Sequence, residues 1–556
     1  MKLLGLVWRY SRGLVVLAII AGIISGLSNA ALIGVIHRAL VDGRNALPAL
    51  GLVFIAVCLG LPISRLISQV LLTYLAQKAT FDLRMTLARR ILAAPLRQLE
   101  EVGPARLLAA LTEDVTAVST GVGYIPVLCL HFSILIGCLS YLAWLNWSVF
   151  IGVLIFLIIG MASFQLAVGK ASRFVMLARK DQDNMYRSLR SLTSGTKELK
   201  LHRKRRETFI DKLLQGSAAA YQKHSVVGNG VYTAAASWGQ LLFFVLVGLL
   251  VFVVPSLKEI SGNTLTGYTL IILYMMVPLE VLSGGFVLVG RANVSLNQIE
   301  SLGLSLHADA SSEQKTEESK PPSWHTLELK GVVRSYHLEK DDSSFILGPI
   351  NLTLKPGELV FISGGNGSGK TTLAKLLAGL YPPESGEIRL DGQAIKDGNV
   401  NDYRELFSVV FSDFYLFESL LGLETPKLDD QARAYLSQLQ LESKVQVKDG
   451  VFSTVDLSQG QRKRLALLTA YLEDRPIYLF DEWAADQDPL FKEVFYYQLL
   501  PEMKAKGKTV IVISHDDRYY SVGDRLIKLD SGQLVLDEPL KPAVAARETA
   551  ASFSAV

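Results

Sequence analysis

The sequence predicts an all-α membrane domain of six transmembrane helices, followed by an α/β domain with a largely parallel sheet. Of its 556 residues, 50% are hydrophobic, and the mean hydropathy of +0.31 is too high for a soluble chain of this length. The apolar residues are concentrated before residue 306, whereas strand-like and helix-like runs alternate after residue 323. The first pattern is typical of a membrane domain, and the second is typical of an α/β domain.

Six apolar runs are long enough, at about 20 residues, to cross the hydrocarbon core of a bilayer. Three basic residues precede the first run, as they do in a secretory signal. Its apolar stretch is too long for a signal peptide and further spans follow, so we predict an uncleaved first membrane helix. The six predicted spans are residues 14–36, 49–72, 122–143, 147–168, 231–254 and 270–289.

Charged residues predict the orientation of these spans. The N-terminus and the loops after the second and fourth spans contain 23 lysine and arginine residues, and the opposite side contains three. The positive-inside rule therefore places both termini and both long loops in the cytoplasm, with the spans in the plasma (inner) membrane. The net charge is only +4, which gives no global field for binding nucleic acid.

Both long loops have apolar residues at three- and four-residue steps among charges, which predicts membrane helices that extend far into the cytoplasm. The second loop contains the basic run HRKRR, residues 202–206. Such runs occur in nucleic-acid patches, but beside a membrane they more often mark topology or a lipid surface. We therefore expect this run to lie near lipid.

Composition also predicts where the domains begin and end. The six-helix domain is expected to cover residues 1–306, and the polar run HADASSEQKTEESKPPS, residues 307–323, is typical of a linker. The α/β domain is expected to cover residues 324–540. The last 16 residues, 541–556, are expected to form a flexible tail.

A glycine-rich motif in the α/β domain predicts a phosphate-binding loop. The run GGNGSGKT fits G-x-x-x-x-G-K-[ST], follows the apolar strand ELVFIS and opens the helix TTLAKLLAGL, which is the context that such a loop requires. Its backbone N–H groups would surround phosphate oxygens at a helix N-terminus. Lys370 would reach the β- and γ-phosphates, and the Thr371 hydroxyl would bind Mg²⁺. The predicted ATP-binding residues of this loop are Gly364, Gly365, Asn366, Gly367, Ser368, Gly369, Lys370, Thr371 and Thr372.

Three further residues follow apolar strands in the pattern expected of a hydrolytic site. The run PIYLFDEW ends in two carboxylates. Asp481 is predicted to hold Mg²⁺, and Glu482 is predicted to polarise the attacking water as a general base. His515 follows the apolar strand TVIVIS, where its imidazole would contact the γ-phosphate.

Four motifs in the order GGNGSGKT, LSQGQ, YLFDE and SHDD resemble the nucleotide-binding domain of ATP-binding-cassette (ABC) transporters. The resemblance covers about residues 324–540 and implies an α/β P-loop nucleotide-binding domain with a helical subdomain. Residues 1–306 are similar to the six-helix membrane domain of the family's type IV exporters. The segments ALTEDV and TKELK look like the family's coupling segments, which touch the nucleotide-binding domains.

The resemblance also implies a dimer. LSQGQ looks like the family's signature motif, which completes the ATP site of a second cassette packed head to tail. Ser458 and Gly460, with Gln461 beside them, would then contact ATP held by the partner chain. A chain with one membrane domain and one cassette must pair to complete such a site, most simply as a homodimer.

Three other positions match the family's motifs or depart from them. Tyr336 lies where the family stacks an aromatic ring on adenine, although an exposed strand tyrosine is the alternative reading. Asp488 matches the aspartate of the family's D-loop. Ser412 stands where a Mg²⁺-binding glutamine is usual. Because a serine side chain is shorter, Ser412 would reach the metal only through water or a backbone shift.

The resemblance implies an ATP-driven exporter, and the cargo is the open question. The serine variant and the segment TSGTKELKLHRKRRETF resemble the subgroup that exports cyclic peptides and peptide siderophores. A lipid or hydrophobic-drug flippase of the same architecture is the alternative, and an ATP-gated channel or regulator is an alternative of a different class. A transporter should show ATPase activity that its cargo stimulates. A channel should instead show ion conductance.

Ionisable residues inside the predicted spans point to the cargo path. Arg65, His131 and Glu280 lie within or beside apolar runs, where a charge that faces lipid is costly. Arg65 and Glu280 are also near enough to helix ends to snorkel. Pro278 frees a backbone carbonyl close to Glu280. We expect Glu280 to line a central cavity.

Overall fold

The structure is a computed structural model that describes residues 12–41, 47–257, 259–302, 324–338, 343–423 and 426–540. The chain divides into two compact units. The first contains Met1–Ala93 and Val102–Ala308, and the second contains Ala94–Glu101 and Asp309–Val556. The predicted linker and tail, residues 307–323 and 541–556, lie outside the described part.

The first unit is made of long α-helices. Among the described residues, six helical stretches are long and apolar enough to cross a membrane, and each predicted span overlaps one of them. The fifth stretch, Arg203–Leu257, includes π-helical turns. The prediction of an all-α domain with six transmembrane helices is therefore confirmed. In chain order, the helices before residue 302 are α1 (Arg12–Val41), α2 (Leu47–Ala93), α3 (Leu96–Val102), α4 (Pro104–Ala109), α5 (Val115–Leu145), α6 (Trp147–Ser194), α7 (Thr196–Leu201), α8 (Arg203–Thr208), α9 (Gln215–Gly248), α10 (Val254–Leu257) and α11 (Gly262–Ser301), with π-helical turns at Ala110–Asp114, Phe209–Leu214 and Leu249–Val253. All of α3 except Val102 belongs to the second unit.

Local sequence explains where two of these helices begin. The side-chain oxygen of Asn146 accepts hydrogen bonds from the N–H groups of Ser148 and Val149, which caps α6. The hydroxyl of Ser261 accepts from the N–H of Thr264 and caps α11. Without such caps the first N–H groups of a helix lack partners. The breaks between neighbouring spans are therefore encoded locally.

Helix α6 continues without a break from its predicted span, which ends at residue 168, to Ser194. At a rise of about 1.5 Å per residue, these 26 residues add about 39 Å beyond the span. The basic run at residues 202–206 comes after this extension and is exposed. Charges in water act over about 8 Å at physiological salt. The run therefore lies well beyond a span that ends at residue 168, and its interpretation as a topology or lipid-surface feature stays a prediction.

The described residues of the second unit form three sheets. The largest has the strand order β12-β11-β3-β10-β9-β6, and all its strands run parallel except β12, so the predicted parallel sheet is confirmed. A second, antiparallel sheet has the order β2-β1-β4-β5, and β7 pairs with β8. The strands are β1 (Leu327–Leu338), β2 (Ser343–Leu354), β3 (Leu359–Gly364), β4 (Ser385–Leu390), β5 (Gln393–Ala394), β6 (Phe407–Val410), β7 (Val447–Lys448), β8 (Val451–Phe452), β9 (Ile477–Asp481), β10 (Thr509–Ile513), β11 (Arg525–Asp530) and β12 (Gln533–Pro539).

Helices cover the large sheet, and two hydrophobic clusters fill the space around it. The strands β3, β9 and β10 are adjacent, parallel and fully buried along most of their length. Their carboxyl ends therefore meet at one edge of the sheet, where ligands bind in folds of this kind. The helices are α12 (Lys370–Leu377), α13 (Val400–Arg404), α14 (Leu428–Gln438), α15 (Gln459–Glu473), α16 (Pro489–Glu493) and α17 (Leu500–Ala505), with shorter helical turns at Trp483–Asp486, Val494–Leu499 and Asp517–Val522.

Candidate active site

The glycine-rich loop joins β3 to α12 and has the backbone geometry of an anion cradle. Gly364, Gly367 and Gly369 have φ angles of +152°, +76° and +98°, which side chains disfavour. A Cβ at Gly364 would lie 2.3 Å from the carbonyl oxygen of Leu529, so no larger residue fits. The loop therefore turns tightly onto the N-terminus of α12, where free N–H groups favour an anion.

Lys370 lies at the start of α12, with its ammonium folded into this loop. It donates to the carbonyl oxygens of Gly364 at 3.1 Å and Gly365 at 2.9 Å. Burial lowers the pKa of Lys370, and the nearby carboxylates of Asp481 and Glu482 oppose that shift. Ser368, between Gly367 and Gly369, is also buried, and its hydroxyl has no partner among the described residues. The loop thus offers a buried cation and a free hydroxyl where the sequence predicts phosphate.

Asp481, at the end of β9, is the centre of a cluster of oxygen atoms. Its Oδ2 accepts a hydrogen bond from the Thr371 hydroxyl at 3.0 Å and a longer one from the Ser412 hydroxyl at 3.4 Å. Its Oδ1 is buried and has no partner within the described part of the chain. Burial raises the pKa of this carboxyl group. A hard cation such as Mg²⁺ prefers a set of oxygen ligands like this one.

Glu482 and His515 face each other across the ends of β9 and β10. The Nε2–H of His515 donates to Oε1 of Glu482 at 2.9 Å. Both side chains are partly exposed, so water can reach the carboxylate. The geometry brings together the two residues that the sequence predicts for hydrolysis, although they are 33 positions apart.

The signature residues lie at the N-terminus of α15. The Ser458 hydroxyl accepts from the N–H of Gln461, and the Gln461 side chain accepts from the N–H of Ser458. This reciprocal capping box fixes the start of the helix. Ser458 is exposed. An exposed helix N-terminus is suited to an anion carried by another molecule.

Four other residues of the predicted ATP site differ in how exposed or how fully described they are. Tyr336 lies in β1, but its side chain is outside the described part of the chain. Gly365 and Asn366 are exposed at the tip of the loop. Thr372, in the first turn of α12, is half-buried.

Sequence reasoning missed the links between α15 and the segment after Glu482. Lys463 and Arg464 are buried, and both reach this segment. Arg464 donates to Gln487 at 2.9 Å and forms an ion pair with Asp488, which also caps α16. The three consecutive basic residues at the start of QRKRLALL were the available signal, but such a run is equally typical of a solvated helix face.

The second unit also includes a short segment from early in the chain, Ala94–Glu101. The Glu100 carboxylate accepts hydrogen bonds from Lys375, at 2.8 Å, and from the Tyr381 hydroxyl. In this segment Leu96 packs against the hydrophobic cluster under the antiparallel sheet. The predicted coupling segment ALTEDV instead lies in the first unit, where Ala110–Asp114 forms a π-helical turn. Both coupling-segment assignments, ALTEDV and TKELK, stay predictions, and Ala94–Glu101 is a further candidate that the sequence did not indicate.

The first unit contains a cavity of about 520 Å³ between α5 and α11. Glu280 is exposed on α11, and so is Arg291, eleven residues further on. Because eleven residues make about three turns, both side chains lie on one face of the helix. Of the other ionisable residues in the predicted spans, His131 is half-buried, and the side chain of Arg65 is outside the described part. The cavity is lined by Thr112, Glu113, Thr116, Ala117, Thr120, Leu288 and Arg291.

Comparison with known proteins agrees with this architecture. The family model described as ABC transporter transmembrane region matches residues 13–279. The model described as ABC transporter matches residues 347–485, which include the glycine-rich loop, the signature and both acidic residues. The chain belongs to the ABC transporter family. It is an ABC exporter, with an ATP-binding domain whose ATPase activity is coupled to transport across a membrane.

Individual relatives extend over nearly the whole chain. The ATP-binding protein SyrD of Pseudomonas syringae pv. syringae is 37% identical over 547 residues, which cover 96% of both chains. An ATP-dependent lipid A-core flippase of Thiobacillus denitrificans is 25% identical and covers 85% of this chain and 83% of its own. The solved structure of a bacterial Atm1-family ABC exporter with ATP bound has a TM-score of 0.74 at 17% identity and covers 99% of both chains. This last likeness confirms the fold.

Proposed function

We propose that this ABC exporter moves a peptide-type cargo, such as a cyclic or siderophore peptide, out of the cytoplasm. It acts as a homodimer in the plasma (inner) membrane, with both termini in the cytoplasm. ATP is hydrolysed with Mg²⁺ at composite sites between two cassettes. The proposed domains are the membrane domain 1–306, the linker 307–323, the nucleotide-binding domain 324–540 and the tail 541–556.

The observation that carries the hydrolysis proposal is the convergence of Lys370, Asp481 and Glu482 at one sheet edge. In the proposed reaction Lys370 exchanges its loop carbonyls for phosphate oxygens and offsets their charge. Glu482 accepts the proton of the attacking water as general base. His515, which donates to Glu482 at 2.9 Å, orients that carboxylate and is within reach of the γ-phosphate.

The residues around Asp481 fit Mg²⁺. Its buried Oδ1 is free of partners within the described residues, and the Thr371 hydroxyl lies 3.0 Å from Oδ2. When bound, Mg²⁺ offsets the charge that develops on the β- and γ-phosphates. Ser412 is the third candidate ligand, and its distance of 3.4 Å from Oδ2 favours a contact through water.

The exposed signature supports the homodimer. Ser458, Gly460 and Gln461 form an anion-binding helix start on α15, whereas Lys370 belongs to a separate loop of the same chain. Each chain therefore carries half of two different sites. We expect heterodimers of a Lys370→Ala chain and a Ser458→Arg chain to have one intact site, and therefore to bind about one ATP per dimer. Homodimers of either variant serve as controls. Absence of that site in verified heterodimers would argue against the head-to-tail arrangement.

The residues that line the cavity between α5 and α11 favour a cargo that is amphipathic and carries both a positive and a negative charge. The Thr112 and Thr116 hydroxyls donate to carbonyl oxygens of their own helix, at 2.7 and 2.6 Å, so their oxygens remain as acceptors for a ligand. Glu113 and Arg291 add one charge of each sign. Glu113 and Arg291 lie outside the predicted spans 122–143 and 270–289, on the proposed cytoplasmic side, so their charges favour a water-filled entrance to the cargo path. A peptide with ammonium and carboxylate groups matches these walls.

A lipid flippase is the second candidate, because relatives at 25% identity are named lipid A-core flippases. The cargo is tested by ATPase stimulation in proteoliposomes with cyclic peptides, linear peptides, lipid A and hydrophobic drugs. We expect cyclic peptides to stimulate most, and expect Glu280→Ala and Arg291→Ala to change the ranking while basal activity stays within about threefold. Stimulation by lipid A alone would favour the flippase. Ion conductance without cargo movement would favour a channel.

A further inference from the structure

The backbone of Glu482 is in the left-handed region, with φ +50° and ψ +34°. Few residues other than glycine adopt this conformation, and it persists only where the surroundings impose it. A glycine would relieve the strain, but it would remove the carboxylate. The chain must therefore hold this peptide in place by other contacts.

Within the described residues, three hydrogen bonds hold the Glu482 peptide. Its N–H donates to the carbonyl oxygen of Ile513 at 3.1 Å. Its carbonyl oxygen accepts from the ammonium of Lys463 at 2.9 Å and from the N–H of Ala485, within the same turn, at 3.2 Å. The same ammonium forms an ion pair with Asp486 at 2.8 Å. Lys463 thus bridges both ends of the turn that follows the base.

Lys463 is only 2% exposed. A buried ammonium loses much of its hydration, and an apolar residue of similar size would cost less free energy at such a position. The lysine is also fixed from the other side, because the indole N–H of Trp483 donates to the Lys463 carbonyl at 2.8 Å. Packing alone therefore does not require a lysine here. The ammonium is explained by its two acceptors, the Glu482 carbonyl oxygen and the Asp486 carboxylate.

The lysine belongs to α15, the helix that begins at the signature. A second link joins the same two elements, because the Gln487 amide donates to the Gly460 carbonyl at 3.0 Å. The contact is close, since a Cβ at Gly460 would lie 2.9 Å from the Asp486 carbonyl oxygen. The start of α15 is therefore packed directly against the turn after Glu482.

We propose that Lys463 is a positioning residue for the hydrolytic base. It holds the Glu482 peptide in its left-handed conformation, so that the carboxylate is aimed only when α15 is seated against the turn. The inference rests on the proposed role of Glu482 in hydrolysis. Helix α15 would then have two roles. Its N-terminal signature would contact the partner's ATP, and its Lys463 would position the Glu482 carboxylate in the chain's own ATP site.

The opposite end of α15 provides a matched control. Asp474 there is also left-handed, with φ +49°. Lys508 donates to the Asp474 carbonyl at 2.8 Å and pairs with its carboxylate at 2.8 Å. The two lysines thus make the same pair of contacts, but only Lys463 does so beside the base.

The test compares Lys463→Met, Lys463→Gln and Lys508→Met in the full-length protein in nanodiscs, with ATP affinity, kcat and KM measured separately. We expect Lys463→Met to lower kcat at least about tenfold while ATP affinity and KM change less than about threefold. Lys463→Gln keeps an N–H donor and should recover kcat to within about threefold of the wild type. Lys508→Met should leave kcat within about threefold of the wild type.

An unchanged kcat in folded Lys463→Met, equal losses in both Met variants, or no recovery in Lys463→Gln would overturn the proposal. If Lys463→Met does not accumulate as folded protein, Asp486→Asn takes its place, with Asp474→Asn as its control. Asp486→Asn should then lower kcat selectively, and an unchanged kcat would overturn the proposal. A wild-type protein without ATPase activity would instead contradict the assignment of the hydrolytic site itself.

Discussion

The Nε2 atom of His515 lies 2.9 Å from Oε1 of Glu482, so the imidazole can donate a hydrogen bond to the proposed base. We predict that Glu482→Gln binds ATP with nearly unchanged affinity and hydrolyses it at least about a hundredfold more slowly, or about 2.7 kcal/mol in activation free energy. The variant should accumulate as a closed, ATP-bound dimer. Phosphate release and nucleotide trapping measure the two effects. The control is Glu493→Gln, an exposed glutamate of the same unit, and near-normal turnover by Glu482→Gln would contradict the assignment.

The buried Asp481 carboxylate should cost stability in the absence of ligand. Its pKa is raised by burial, so the folded state binds more protons than the unfolded state between the ordinary and the raised pKa. Stability therefore falls as pH rises through that window. We predict that Asp481→Asn raises the Tm of the nucleotide-free protein at pH 7 by about 2–4 °C. The gain should shrink toward pH 4, and the added stabilisation by ATP and Mg²⁺ should be lost.

A second aspartate gives a control of opposite sign for this experiment. The hydrogen bonds from Arg518 hold the pKa of Asp516 below its usual value, so its contribution to stability is present above the ordinary pKa and is lost as pH falls. Asp516→Asn should therefore lower the Tm slightly at pH 7. If Asp481→Asn also lowers the Tm, the prediction is wrong. The hydrogen bonds to the buried Asp481 carboxylate would then fully offset the free-energy cost of burying it.

A substitution at Ser412 tests what the replacement of the usual glutamine changes: Mg²⁺ binding, or the coupling of ATP hydrolysis to cargo. Its hydroxyl lies 3.4 Å from Asp481, behind the closer Thr371 contact. We predict that Ser412→Ala changes basal ATPase activity less than about threefold, or about 0.6 kcal/mol, and weakens stimulation by cargo. Ser419→Ala, a half-buried serine of the same loop, is the matched control. Loss of nearly all basal turnover would show that the hydroxyl is itself a required ligand of metal or water.

Glu100 should affect coupling without affecting the chemistry. It bonds Lys375 and Tyr381 in the nucleotide-binding unit, and it follows the long helix α2 of the membrane unit in the chain. We predict that Glu100→Gln keeps basal ATPase activity within about threefold of the wild type and reduces cargo stimulation several-fold. The neighbouring Glu101→Gln, which loses only an exposed pair with Arg97, should have little effect. Equal stimulation in both variants would exclude this contact from coupling.

The sequence by itself determined the six membrane helices and the nucleotide-binding motifs. Lipid offers no hydrogen bonds to the backbone, so each span must be one continuous apolar helix that is visible in any hydropathy plot. The phosphate loop is equally local, because its glycine angles and the adjoining helix arise within nine residues, 364–372. The order of Asp481, Glu482 and His515 at strand ends was enough to predict that they would meet, since parallel strands bring their carboxyl ends to one edge.

Only the tertiary structure decided the contacts that join distant parts of the chain. The link from Glu100 to Lys375 spans 275 positions, and the link from Lys463 to Glu482 joins a helix to a turn. Neither has a local signature, because a glutamate or lysine on a helix is normally solvated. The left-handed backbone of Glu482 is likewise imposed from outside, by Ile513 and Lys463. Such positions are set by long-range packing, which a sequence read in short windows does not contain.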